Sequence, residues 1–170
     1  KKIDYYLLFD ERTKNFSEKE LKTNYIISGS ISNNEKPIKN FQKEFDYMFI
    51  SNFRSNPNNL NDKKNVVDST KFFLSTLSEF CDKENKKFCI AGVYKRQDKK
   101  KYSKAYLNEE KKFYKTNSSN FELRDEDSFE LAQKSNVCVC THSNLGFQLL
   151  SRGHKVIFLN RDEDMFKWHF

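Results

Sequence analysis

Thr141-His142-Ser143-Asn144-Leu145-Gly146 is the stretch of this chain whose residue types and spacing best suit chemistry. It follows an apolar, cysteine-bearing run at 136–141 and opens an apolar helical pattern at 145–150. Arg152-Gly153 then supplies a cation and a left-handed cap, and a second apolar strand occupies 154–159. A strand–turn–helix–strand unit of this kind sets a helix N-terminus at the carboxyl edge of a parallel sheet. Backbone N–H groups and the helix dipole gather there, and anions such as phosphate bind. Ser143 and the backbone N–H groups of Asn144 and Leu145 are the candidate donors to a diphosphate. Gly146 admits either a ligand or a neighbouring strand. The other reading is an ordinary Ser or Thr N-cap followed by a glycine needed for helix–sheet packing, and spacing alone leaves both open. With one glycine the turn is not the G-x-G-x-x-G dinucleotide fingerprint. His142 reads as a ligand-binding group, since no Ser–His–Asp order can be assigned. Gln148, one helical turn past Asn144, either reaches a ligand's polar group or is an exposed helix residue.

Two further groups belong with this turn. Gly92-Val93-Tyr94-Lys95-Arg96 closes another strand-like run. Ligands of open α/β sheets bind beyond the carboxyl ends of the strands. Lys95 and Arg96 there neutralise phosphate, with Arg96 as a bidentate partner, or form a solvated basic loop. Glu109-Glu110 follows in the next helix. A carboxylate there accepts ribose hydroxyls or acts on a sugar; the alternative is a solvated Glu–Lys face with Lys111 and Lys112. Upstream, Gly29-Ser30 and Ser51-Asn52-Phe53-Arg54 each follow a strand and line the same cleft if those strands share the sheet.

The elements that must position these groups are legible from periodicity. Strands are expected at 3–9, 24–28, 47–52, 87–93, 121–123, 136–141 and 154–159. A helical turn is expected at 17–21 and a loop, holding Pro37, at 31–40. The clearest helix is 66–85, with Val67, Phe73 or Leu74, Leu77, Phe80 and Cys81 at helical spacing. A charged helix spans 101–116, with Tyr102, Tyr106, Phe113 and Tyr114 near one stripe, and a short one spans 125–134, capped by Asp125 or Asp127. From Val66 onward strands and helices alternate strictly. That pattern specifies a doubly wound α/β domain, a mainly parallel sheet with helices on both faces. Residues 1–65 are less regular and read as the strand-rich start of the domain or an inter-domain region, with 66–170 as the ligand-binding domain. The start at Lys1 without Met, and the apolar end at Phe170, suggest a piece of a longer protein.

With 170 residues the chain is long enough for one domain with a full core. Its net charge of +7 fits an anionic ligand or a lysine-rich solvated surface. No nucleic-acid partner is favoured, because the aromatics sit mainly in apolar runs rather than in the basic cluster at 95–104, where Tyr102 is the exception, and no recognition signature is present. The four cysteines form no C-x-x-C pair. Cys138 and Cys140 point to one face of a strand and read as small core residues, so no metal or cofactor is expected. No apolar run approaches the roughly 20 residues of a membrane helix, and no signal peptide is seen. The expected location is cytoplasmic, with peripheral contact at the inner face of the membrane.

VCVCTHSNLGFQLLSRGHKVIFLN resembles the T-(D/x)-S-T-L-G-Y-E-(L/A)-L-A/S-R-G-K-K-V-(I/A)-F segment of bacterial surface-carbohydrate biosynthesis proteins, glycosyltransferase-like proteins of the GT-B type. YMFISNFR and IISGSISNN are similar to that family's strands ending in Ser-x-x-Arg and Gly-Ser. The likeness runs from about Tyr25 to Asn160, with its specific part at the end. It implies a Rossmann-like domain, the donor-binding half of a GT-B fold, taking a nucleotide-sugar donor as substrate for polysaccharide or O-antigen synthesis. A glycan or lipid-linked acceptor would bind an N-terminal half, missing or partial here, which would also supply the catalytic base. Ser143, Asn144, Leu145 and Gly146 would then sit by the donor diphosphate, with Gly92, Tyr94, Lys95 and Arg96 on the neighbouring loop and Gln148 near sugar or ribose. The family's Ser-Thr is Ser143-Asn144 here, and its Glu is Gln148. Loss of that carboxylate implies altered donor choice or a non-catalytic copy. Rivals on the same fold are a sugar-nucleotide epimerase and a polyol-phosphate transferase; a rival of another class is a non-catalytic nucleotide- or nucleic-acid-binding module.

Overall fold

The structure is a computed structural model that describes residues 3–8, 10–29, 31–53, 67–92, 103–124, 126–141 and 143–159. The chain divides into two compact units between Ile38 and Lys39. The sequence pattern turns regular only at Val66, yet the strand at 45–50 already belongs to the second unit.

In the first unit, β1 (Tyr5–Leu8) and β2 (Asn24–Ile27) pair in parallel across α1 (Glu11–Ser17). A parallel pair requires such a crossover. The helix lies upstream of the turn expected at 17–21 because Asp10 caps it, its carboxylate accepting from Thr13 N–H at 2.7 Å. The cap holds the Asp10 carboxyl below its ordinary pKa. The loop expected at 31–40 contains one helical turn, α2 (Ile31–Asn34).

The second unit is the α/β domain. Its elements are β3 (Phe45–Ile50), α3 (Ser69–Lys83), β4 (Phe88–Ala91), α4 (Lys104–Asn117), β5 (Phe121–Arg124), α5 (Ser128–Gln133), β6 (Ser135–Cys140), α6 (Asn144–Ser151) and β7 (Val156–Phe158). All five strands are parallel, in the order β5-β4-β3-β6-β7. The chain steps outward from β3 through β4 to β5, then crosses back to lay β6 on the other side of β3. This is the doubly wound, Rossmann-like arrangement, and its topological switch point lies between β3 and β6.

Strand alternation supplies two cores. Met48, Ile50, Cys89, Ala91, Cys138 and Cys140 pack with Phe129, Leu131, Ala132 and Leu149 of α5 and α6. Phe49, Phe88, Ile90 and Val139 pack on the opposite face with Leu74 and Cys81 of α3 and Tyr114 of α4. The strands are therefore apolar throughout rather than alternating with polar residues. Met48, Phe49 and Ile90 are fully buried, each contributing roughly 1.5–3 kcal/mol. That burial fixes the carboxyl ends of β3, β4 and β6 relative to one another. No helix among the described residues is long and apolar enough to cross a membrane.

Candidate functional site

The carboxyl ends of β3 and β6 meet at the switch point. Beyond β3 come Ser51, Asn52 and Phe53; beyond β6 comes Thr141. Asn52 Nδ2 donates to Thr141 Oγ1 at 2.7 Å, and Thr141 is buried. The condition set for the loop after β3, that its strand share the sheet of β6, is met, whereas β2, which precedes Gly29, lies in the separate two-stranded sheet. Two helices begin at this edge. α6 starts at once, with Ser143 as N-cap in extended backbone. α3 leads into β4 at the opposite edge, and its 15 residues extend it about 22 Å back toward the carboxyl ends.

The cap of α6 differs from those of α1, α4 and α5. Asp10, Ser103 and Asp127 each accept a first-turn N–H of α1, α4 and α5. Ser143, the N-cap of α6, makes no side-chain cap bond, whereas the residues just before α3, Val67 and Asp68, are themselves helical. In α3 the Ser69 and Thr70 hydroxyls are also buried and have no hydrogen-bond partner among the described residues. A buried hydroxyl without a partner costs roughly 1–3 kcal/mol. Sequence reasoning missed these two, because a Ser-Thr pair within a helix carries no sign of whether its hydroxyls are paired.

Ser143 is half-buried and Asn144 is exposed. The Leu145 side chain packs against the core, so only its backbone is presented outward. Gln148 is half-buried one turn along. For Gly146 the structure decides between the two readings. A Cβ there would lie 2.6 Å from Cys140 Sγ and 2.9 Å from Phe158 Cε1. The glycine lets α6 approach β6 and β7, which is the packing role and not close approach of a ligand. At the far end, Gly153 takes φ +83° and completes the expected left-handed cap. His142, Tyr94, Lys95, Arg96 and Arg54 lie outside the described residues.

A second polar cluster lies one strand away. Tyr114 OH donates to Ser51 Oγ at 2.5 Å, and Ser51 Oγ donates to Glu110 Oε1 at 2.9 Å. Burial pushes the Tyr114 phenol far above its ordinary pKa, so it keeps its proton and must be the donor. Ser51 also accepts from Phe53 N–H at 3.3 Å, leaving its own proton for Glu110. Glu110 is 1% exposed, which overturns the solvated-face reading for this residue, whereas Glu109 is exposed as that reading expects. The signal was present: Tyr106, Glu110 and Tyr114 recur at i, i+4 and i+8, so Glu110 fills the gap in the aromatic stripe. Tyr106 OH completes the cluster by donating to Phe53 O at 2.9 Å.

Glu110 lines a cavity of about 360 Å³ with Gly92, Lys104, Leu107, Asn108, Lys111, Leu123 and Arg124. Arg124 is committed elsewhere, with Nε donating to Glu126 at 2.6 Å and Nη1 to Glu122 at 3.0 Å. Those carboxylates raise its pKa, and Arg124 and Lys134 together hold Glu126 down at about 2. The four cysteines are buried and unpaired as expected for core residues, and burial pushes the thiols of Cys89, Cys138 and Cys140 up to about 12. Among the described residues no group of three His, Cys, Asp or Glu could hold a metal ion.

A family model described as "putative O-antigen biosynthesis protein" matches residues 1–168. No curated protein matches the chain.

Proposed function

We propose that this chain, which belongs to that O-antigen biosynthesis family, binds the diphosphate of a nucleotide-sugar donor and serves glycosyl transfer in surface-polysaccharide assembly. The observation that carries the reading is the switch point itself. Asn52 and Thr141 tie the ends of β3 and β6 together, and α6, which begins there, has an N-cap that makes no side-chain cap bond. A bound diphosphate satisfies the same first-turn N–H groups that a cap residue satisfies elsewhere. Ser143 and the N–H groups of Asn144 and Leu145 receive one phosphate. The buried, unpartnered hydroxyls of Ser69 and Thr70 are proposed to hold a second. Lys95, Arg96 and His142, and Tyr94 by its phenol, are proposed to complete the site from the adjoining loops, with Gln148 toward the sugar.

In such a site transfer proceeds as the bond from the sugar's anomeric carbon to the diphosphate breaks. Negative charge develops on the leaving oxygen. Helix dipoles and basic side chains aimed there stabilise it without a metal. A glycan or lipid-linked acceptor supplies the attacking hydroxyl, and its placement at the cytoplasmic face of the membrane is part of the proposal.

Thermal shift tests the reading with UDP, GDP, CMP and short oligonucleotides. A nucleoside diphosphate should raise Tm by several degrees, and Ser143→Ala combined with Lys95→Ala should remove the shift. The proposal fails if no diphosphate stabilises the chain. It fails equally if oligonucleotide stabilises it best with a steep salt dependence.

A further inference from the structure

We infer that the outer edge of β7 pairs with the same edge of a second copy of this chain, antiparallel about a two-fold axis at Ile157, and joins the two five-stranded sheets into one. β7 ends the strand order, and among the described residues no strand lies beyond it. Lys155 O accepts from Cys138 N–H at 2.9 Å, and Leu159 N–H donates to Cys140 O at 2.8 Å. Residues 155, 157 and 159 therefore face β6, and Val156 and Phe158 turn their N–H and C=O groups to the outer edge.

Apolar side chains flank this edge on both faces of the sheet. Ile157 lies beside Val139, on the face that carries α3 and α4, and is 45% exposed. Leu150, on the other face, is 51% exposed. It comes four residues after Gly146, which packs on Phe158, and three after Phe147, whose ring centre lies 4.6 Å from that of Phe158. Leu150 therefore projects from the side of α6 that overlies β7. With Ile157 on the axis, Val156 stands opposite Phe158 of the second copy, so the outward-facing residues exchange their backbone bonds. Ile157 then meets its own equivalent on one face, and the two α6 helices bring their Leu150 side chains together on the other. Charge selects this occupant and this direction. Arg152, His154 and Lys155 lead into β7, and Asp162-Glu163-Asp164 follow it in the sequence. Antiparallel pairing brings each basic start to the acidic continuation of the other copy, whereas parallel pairing sets like charges together. The contact is isologous and closes on itself.

Sedimentation velocity on the native chain across about two decades of concentration tests this, and the chain should pass from monomer to dimer. Ile157→Lys sets two cations against each other on the axis and should weaken the dimer by about tenfold or more, while Tm stays near the native value because the position is exposed. Val156→Pro removes an outward N–H, leaves the bonds to β6 in place and should weaken the dimer as well. Lys155→Glu, or high salt, should weaken it several-fold. Ile157→Cys should form a disulfide-linked dimer with oxidised glutathione, because facing residues of an antiparallel pair lie within reach of that bond and the native cysteines are buried. Should Ile157→Lys fail to fold, the Val156→Pro and Ile157→Cys outcomes decide. A chain that stays monomeric at every concentration, its edge covered by residues 160–170 or by a different partner, overturns the inference. So does a dimer that survives both Ile157→Lys and Val156→Pro, or an Ile157→Cys chain that forms no link.

Discussion

Replacing Gly146 with alanine forces α6 away from the sheet, and the size of the effect follows from the contacts. The new methyl would sit 2.6 Å from Cys140 Sγ, with Phe158 Cε1 at 2.9 Å and Cζ at 3.2 Å. Ordinary contact lies near 3.5 Å, so the helix must retreat by roughly 1 Å or the ring and thiol must yield. Cys140 is fully buried in β6, so it has little room to yield. Overpacking of this kind costs about 1–3 kcal/mol. Alanine recovers up to about 1 kcal/mol through its better helix propensity. The net expectation is a loss of about 1–2 kcal/mol in urea unfolding, or a fall in Tm of roughly 3–8 °C. A double-mutant cycle isolates the cause. Cys140→Ala alone leaves a small void and destabilises, but combined with Gly146→Ala it removes the nearest clash, so the two should couple favourably by about 1 kcal/mol. Phe158 remains in place and keeps the rescue partial. A Gly146→Ala chain as stable as the native one, or a cycle with no coupling, refutes the packing argument and returns Gly146 to the ligand-facing reading.

Three other outcomes follow from the same contacts. Ser51→Ala strands Glu110 and Tyr114 without their shared partner and should cost about 2–3 kcal/mol in denaturant unfolding, against roughly 1 kcal/mol for Tyr114→Phe; equal small losses would show that the chain of hydroxyls is not structural. Glu126 has a folded pKa of about 2, below its ordinary 4.5, so its contribution is present above pH 4.5 and lost as pH falls toward 2. Glu126→Gln should therefore lower stability at pH 7 by up to about 1 kcal/mol, the two chains converging in acid; a gap that persists at pH 2 contradicts the ion-pair account. The buried thiols should resist a thiol reagent at pH 8 in the native chain and react only in denaturant; rapid labelling of Cys89, Cys138 or Cys140 in the native chain would contradict their burial.

The sheet was legible because its strands are buried on both faces. Runs such as YMFIS and VCVC read as continuous apolar segments, and helical spacing marked α3, α4 and α6 between them. Periodicity gave no pairing order, so the membership of β3 stayed open until register placed Met48 against both Cys89 and Cys138. Asp10 was passed over as a cap because the helix behind it buries no residue and shows no apolar stripe. At the site, Ser143 and Asn144 were found through turn chemistry, which is local. Glu110 was misjudged because its lysine neighbours resemble a solvated face, and only the tertiary partner Ser51, 59 residues away in sequence, reveals its burial. Ser69 and Thr70 carry no pattern that distinguishes an unpaired hydroxyl from a paired one.

Ser51 and Asn52 are adjacent, yet they look in opposite directions. Ser51 is held by α4 through Glu110 and Tyr114, while Asn52 is held by β6 through Thr141. One peptide unit therefore joins the wall of the cavity to the start of α6. Substitutions at Ser51 and at Thr141, though they act on different elements, should therefore be non-additive in unfolding.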